Sequence, residues 1–101
     1  MNPLINANNI KIQNACKDFS VDKLYVFGSF ARNENTKNSD IDFLVSFKEN
    51  IPTNYFDNFF DFQFKLEEIF NKKVDLISEN TLKNPYLINS INADKIIIYG
   101  K

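Results

Sequence analysis

The sequence predicts an α/β (α+β) domain in which a small sheet is covered by helices, and three observations point to it. Short apolar runs with a period of two alternate along the chain with longer segments whose apolar residues recur near every 3.6 positions. Turn and cap residues stand at the junctions between them. A length of 101 residues fits one core and leaves no room for a separate substrate-binding domain, so a single domain over 1–101 is expected.

Taken in order, Ile5, Ile10, Ile12, Cys16 and Phe19 recur roughly at helical spacing and predict a first helix, ending at the turn between Asp18 and Asp22. Leu24 to Phe27 reads as a short buried strand, followed by Gly28-Ser29 and then Phe30-Ala31-Arg32, which looks like the start of a short helix. Asn33 to Ser39 is polar throughout and predicts a loop. Ile41, Phe43, Val45 and Phe47 alternate with Asp42, Leu44 and Ser46, the period of a second strand. Pro52-Thr53-Asn54 supplies a stop and a cap before the longest helix, Tyr55 to Phe70. Lys73 to Ile77 is a third strand, Asn84-Pro85 opens a helix to about Ala93, and Ile96 to Tyr99 is a closing β-rich run. Alternating strands and helices of this kind pack as helices against one sheet.

Acidic and basic residues nearly cancel at a formal net charge of −1, and the basic ones are scattered, which argues against nucleic acid as the main partner. The single cysteine, Cys16, has no internal disulfide partner and reads as a small buried apolar residue. With no histidine in the chain, any metal site would be built from carboxylates. There is neither a basic segment leading into an apolar run nor a stretch long enough to cross a bilayer, so a cytoplasmic location and no membrane partner are expected.

The chemistry-bearing residues are carboxylates. Positions two apart in a strand share a face, so Asp40 and Asp42 are expected to project side by side. Adjacent anions either take up a proton or bind a cation, and oxygen-only ligands select a hard ion such as Mg²⁺ or Mn²⁺. An isolated Asp-x-Asp reads more readily as a turn residue followed by a solvent-facing one. Its context alters that reading. Gly28 lets the backbone approach an anion, and the Ser29 hydroxyl and nearby amides can donate to phosphate oxygens, so Gly28-Ser29 is a candidate phosphate seat. Asp75 stands inside the apolar run Val74-Asp75-Leu76-Ile77, where an unpaired buried charge is costly, and is expected to face the same groove as Asp40 and Asp42. Arg32 is a weaker candidate for phosphate contact, since an arginine at a helix start is more often a surface ion pair, and Ser39 reads as a turn former.

The run Gly28-Ser29-Phe30-Ala31-Arg32 through Ser39-Asp40-Ile41-Asp42-Phe43-Leu44-Val45 resembles the signature of the minimal nucleotidyltransferase domains of the DNA polymerase beta superfamily, and Asp75 stands where that family places its third carboxylate. The resemblance covers nearly the whole chain. It implies a small mixed β-sheet of the polymerase beta palm-like type and a metal-dependent transfer of AMP from ATP. Two Mg²⁺ ions, roughly 3.5 to 4 Å apart in the general scheme, would be held by Asp40, Asp42 and Asp75. Gly28, Ser29 and Arg32 would face the phosphates. One departure is Asn33, where the family usually has glycine; asparagine tolerates the left-handed backbone, so the turn is expected to survive.

Many members of the family are antitoxins of the MntA type that adenylylate a tyrosine of a partner HEPN toxin, so the resemblance implies a HEPN-type toxin as partner in a hetero-oligomer. A small-molecule acceptor such as an aminoglycoside, and a non-catalytic antitoxin module, are the alternatives. The long helix bears on this choice. Tyr55, Phe59, Phe62, Leu66 and Ile69 form one stripe and Phe56, Phe60 and Phe64 a second, together roughly 200° of the helix against a usual apolar face of about 100°. The second stripe is either covered by another helix of the chain or is a partner surface.

Overall fold

The computed structural model describes residues 2–100; Met1 and Lys101, the outer bounds of the expected domain, lie outside the described residues. Its elements run α1 (Pro3–Ala7), α2 (Asn9–Asp18), β1 (Val21–Phe27), a single 3₁₀ turn (Gly28–Phe30), β2 (Ile41–Phe47), α3 (Tyr55–Phe70), β3 (Val74–Ser78), a second 3₁₀ turn (Glu79–Thr81), α4 (Pro85–Asp94) and β4 (Ile96–Tyr99). The four strands form one mixed sheet in the order β3-β2-β1-β4. β1 is antiparallel to both β2 and β4, while β2 and β3 run parallel.

Local chemistry accounts for most boundaries. Asn54 caps α3 by accepting from the Phe56 and Asp57 amides, and Asn71 ends that helix in the left-handed conformation (φ 51°). Asn84 caps α4 in the same way, with Pro85 in its first turn. The expected first helix is two helices, because Asn8 leaves the helical conformation (φ −107°) between α1 and α2. Ile10 consequently points outward at 76% exposure instead of joining the core. β1 begins at Val21, three residues ahead of Leu24, and β3 runs from Val74 to Ser78, one residue later than expected. The irregular register near Val21 and Lys23 hides the early start of β1 from a strict alternation.

The core lies on one face of the sheet. Leu24 and Val26 of β1, Ile41, Phe43 and Val45 of β2, and Val74 and Leu76 of β3 meet Ile12 and Cys16 of α2 and Phe62, Leu66 and Phe70 of α3. Cys16 is fully buried, as expected, and burial pushes its thiol up to about 12. The opposite face belongs to Tyr25, Phe27, Asp42, Leu44, Asp75 and Ile77 by strand alternation. α4 crosses part of that face: Ile88 and Asn92 line a small cavity with Leu44, and the Lys95 ammonium stands 4.7 Å from the centroid of the Tyr25 ring. This cover is why Leu44, an outward position by period, is only 2% exposed. No helix among the described residues is long and apolar enough to cross a membrane.

Candidate active site

The uncovered end of the second face gathers the carboxylates. Asp42 lies in β2 directly between Phe27 of β1 and Asp75 of β3, so the two aspartates are cross-strand partners on one face. Asp40 precedes β2 by one residue, and the adjoining Ile41 amide donates to the Lys73 carbonyl at 3.2 Å, fixing where the strand starts. Asp42 is half-buried, whereas Asp40 and Asp75 are exposed. The penalty expected for a buried Asp75 therefore does not arise, because the edge position of β3 leaves its carboxylate in water while alternation still turns it toward Asp42.

Burial holds the Asp42 carboxyl above the ordinary carboxylate range, and the charges of Asp75 and then Asp40 push it the same way, while Arg32 opposes them. Asp42 thus feels the charges of both other acids. Among the described residues, however, no three potential ligands are drawn together tightly enough to form an ion-holding group as the side chains stand. The donor set, oxygen alone with excess negative charge, fits a hard divalent cation.

Gly28 abuts this cluster. Its φ of 73° is left-handed, and a Cβ there would collide with the Asp42 carboxylate, so only glycine lets the turn after β1 sit against that side chain. The expected short helix is a one-turn 3₁₀ segment, Gly28–Phe30, whose Gly28 carbonyl accepts from the Ala31 and Arg32 amides. Phe30 is buried and anchors the turn in the core, while Ser29 stays partly accessible beside Gly28. Asn33 takes the left-handed conformation (φ 59°), as the glycine-like position requires.

Arg32 is held at 2.7 Å from Glu34 and at 2.5 Å from Asp94 at the end of α4, and both contacts keep its guanidinium charged. It behaves as the surface ion pair that was the stronger expectation, yet lies near enough to act on Asp42. Ser39 closes a turn by accepting from the Thr36 amide at 2.8 Å. Sequence reasoning missed Asn2, whose side-chain amide donates to the Asn33 and Asn35 side-chain oxygens at 3.2 and 2.7 Å and pins the loop after the glycine turn. Nothing in the local sequence signals a contact spanning some thirty positions.

A family model described as a nucleotidyltransferase domain matches residues 10–98, which takes in Gly28, Ser29, Arg32, Asp40, Asp42 and Asp75. The chain belongs to that family. The nucleotidyltransferase domain has relatives close in length: a Methanocaldococcus jannaschii protein named as a protein adenylyltransferase is 41% identical over 80 residues, 79% of each chain. A solved structure named as a minimal nucleotidyltransferase superposes with a TM-score of 0.76 at 28% identity, covering 91% of this chain and 90% of that one. A Shewanella oneidensis MNT antitoxin in complex with a tri-AMPylated HEPN toxin shares the fold, with a TM-score of 0.67 at 19% identity over 95% of this chain and 72% of the other. The chain is therefore a nucleotidyltransferase by family and a minimal one by fold.

Proposed function

We propose that this chain, as one minimal nucleotidyltransferase domain, moves AMP from ATP onto a tyrosine hydroxyl of a partner HEPN toxin and so acts as an antitoxin. The observation that carries the reading is the pairing of Asp42 with Asp75 on one open face, with Gly28 pressed against Asp42. Asp40, Asp42 and Asp75 would hold Mg²⁺, which supplies charge neutralisation at the reacting phosphate and a more acidic acceptor hydroxyl. Gly28 and Ser29 seat the outer phosphates through the backbone and the serine hydroxyl. Arg32 would exchange its carboxylate partners for phosphate oxygens. The acceptor oxygen bonds to the α-phosphorus as the bond to the bridging oxygen of the β-phosphate breaks. Pyrophosphate leaves, and the hydroxyl proton passes toward the exposed Asp75 carboxylate.

The relative named as a protein adenylyltransferase and the antitoxin of like fold both support a protein acceptor. Incubating the chain with ATP, Mg²⁺ and a HEPN toxin is expected to add AMP to the toxin by mass spectrometry, with none added by Asp42→Asn. Transfer to an aminoglycoside in place of the toxin would overturn the choice of acceptor. Full neutralisation by Asp42→Asn would make catalysis dispensable.

A further inference from the structure

The outer side of α3 carries Phe56, Phe60 and Phe64, which are 69%, 49% and 67% exposed although the inner side of the same helix already fills the core with Phe62, Leu66 and Phe70. Spaced four apart, they form one ridge, and three such rings expose on the order of a few hundred Å², the size of patch that marks interaction sites. Phe56 and Phe60 also form one wall of an apolar groove of about 270 Å³ whose other wall is Leu76, Ile77 and Ser78 of β3. β3 is an edge strand, and Ile77 follows Asp75 by two residues on the same face. The apolar surface therefore runs from the outside of α3, around the sheet edge, to the acidic end of the site face.

Charge narrows the occupant. Exposed Asp57, Asp61 and Glu68 flank the ridge, and the nearby Lys65 is engaged by Glu68 at 3.1 Å. A second copy laid along the ridge by a two-fold axis would set Asp57 of one chain against Asp61 of the other, a like-charge contact. An anionic membrane surface would be repelled for the same reason. A protein surface with an apolar centre and a Lys and Arg rim matches both parts.

Building on the reading above, we infer that this ridge and groove are where the protein acceptor docks. An apolar segment with a basic rim seats on Phe56, Phe60 and Phe64 and follows the groove past Leu76 and Ile77. The acceptor hydroxyl is thereby delivered around the β3 edge to Asp75.

The test uses a HEPN toxin as probe and two variants, Phe60→Ser/Phe64→Ser and Asp57→Lys/Asp61→Lys, the second leaving every apolar side chain in place. Toxin binding by calorimetry, AMP transfer at varied toxin concentration, AMP-PNP binding with Mg²⁺, and thermal melting are read together. Each variant is expected to weaken toxin binding and raise the KM for toxin at least tenfold, with nucleotide affinity and melting close to the parent. Binding lost in the variants while the parent binds but transfers nothing would uphold the surface and sink the proposed reaction. Equal binding by parent and variants, or no binding by the parent, would overturn the surface. So would a parent dimer in sedimentation that the phenylalanine variant dissolves, which would assign the ridge to a second copy.

Discussion

Where β2 meets β3 the sheet sets Phe43 beside Leu76 on one face and, one residue back along both strands, Asp42 beside Asp75 on the other. The strands, register and hydrogen-bond ladder are common to both faces. What differs is the cover. α2 and α3 close the first face completely, so Phe43 is fully buried and Leu76 nearly so. α4 crosses only part of the second, closing over Leu44 and leaving Asp42 half-buried and Asp75 in water. A pair of like charges is tolerable on a face that stays open, and its residual repulsion is what a cation or a proton would relieve.

The contrast can be broken most sharply at Asp42. Asp42→Asn removes a charge from the open face and is expected to lower AMP transfer about a thousandfold or more, measured by labelled ATP turnover, because the loss falls on transition-state charge stabilisation. On the closed face, Phe62→Ala leaves a void under the sheet and is expected to cost about 3–5 kcal/mol in urea denaturation. Its neighbour Phe60→Ala, on the exposed side of the same helix, should cost under about 0.5 kcal/mol.

Gly28→Ala tests the join between the two faces. The new methyl must displace the Asp42 carboxylate in a backbone conformation that alanine resists, so a loss of about 1–2 kcal/mol in stability is expected together with a larger loss of transfer. Equal activity with a lowered melting temperature would show that the glycine serves only the turn.

The smallest effect concerns protons. The folded-state pKa of Asp42 lies above its unfolded value, so its contribution to stability is fully present below the ordinary carboxylate range and is lost as pH rises through the raised value. Without metal, Asp42→Asn is therefore expected to leave the melting temperature near neutral pH unchanged or slightly raised, the effect being small because screening weakens it at this partly exposed site. A melting curve for Asp42→Asn that lies well below the parent at neutral pH would contradict this. Cys16 supplies the corresponding probe of the closed face: with its thiol pushed up to about 12, labelling by a maleimide at pH 8 should await unfolding.

Much of this molecule was legible in its residues. α3 has the bounds that Asn54 and its period predict, and β2 and β4 likewise. The alternation in Ile41–Phe47 placed Asp42 opposite the core side chains, and Asn33 adopted the left-handed turn expected of it. The early start of β1, the break at Asn8 and the one-residue shift of β3 were not legible, because a bulge, a single non-helical residue and a strand end leave no periodic trace.

Local periodicity and side-chain chemistry thus determined which residues are apolar, which are acidic and which share a face, since these depend on positions a few residues apart. Only the tertiary structure decided that Asp75 stands beside Asp42 across a parallel ladder, that Asn2 holds the loop at Asn33 and Asn35, and that Arg32 is spoken for by Asp94. It likewise left Phe56, Phe60 and Phe64 uncovered. Each of these depends on which distant segment packs alongside, and no period in the chain encodes that choice.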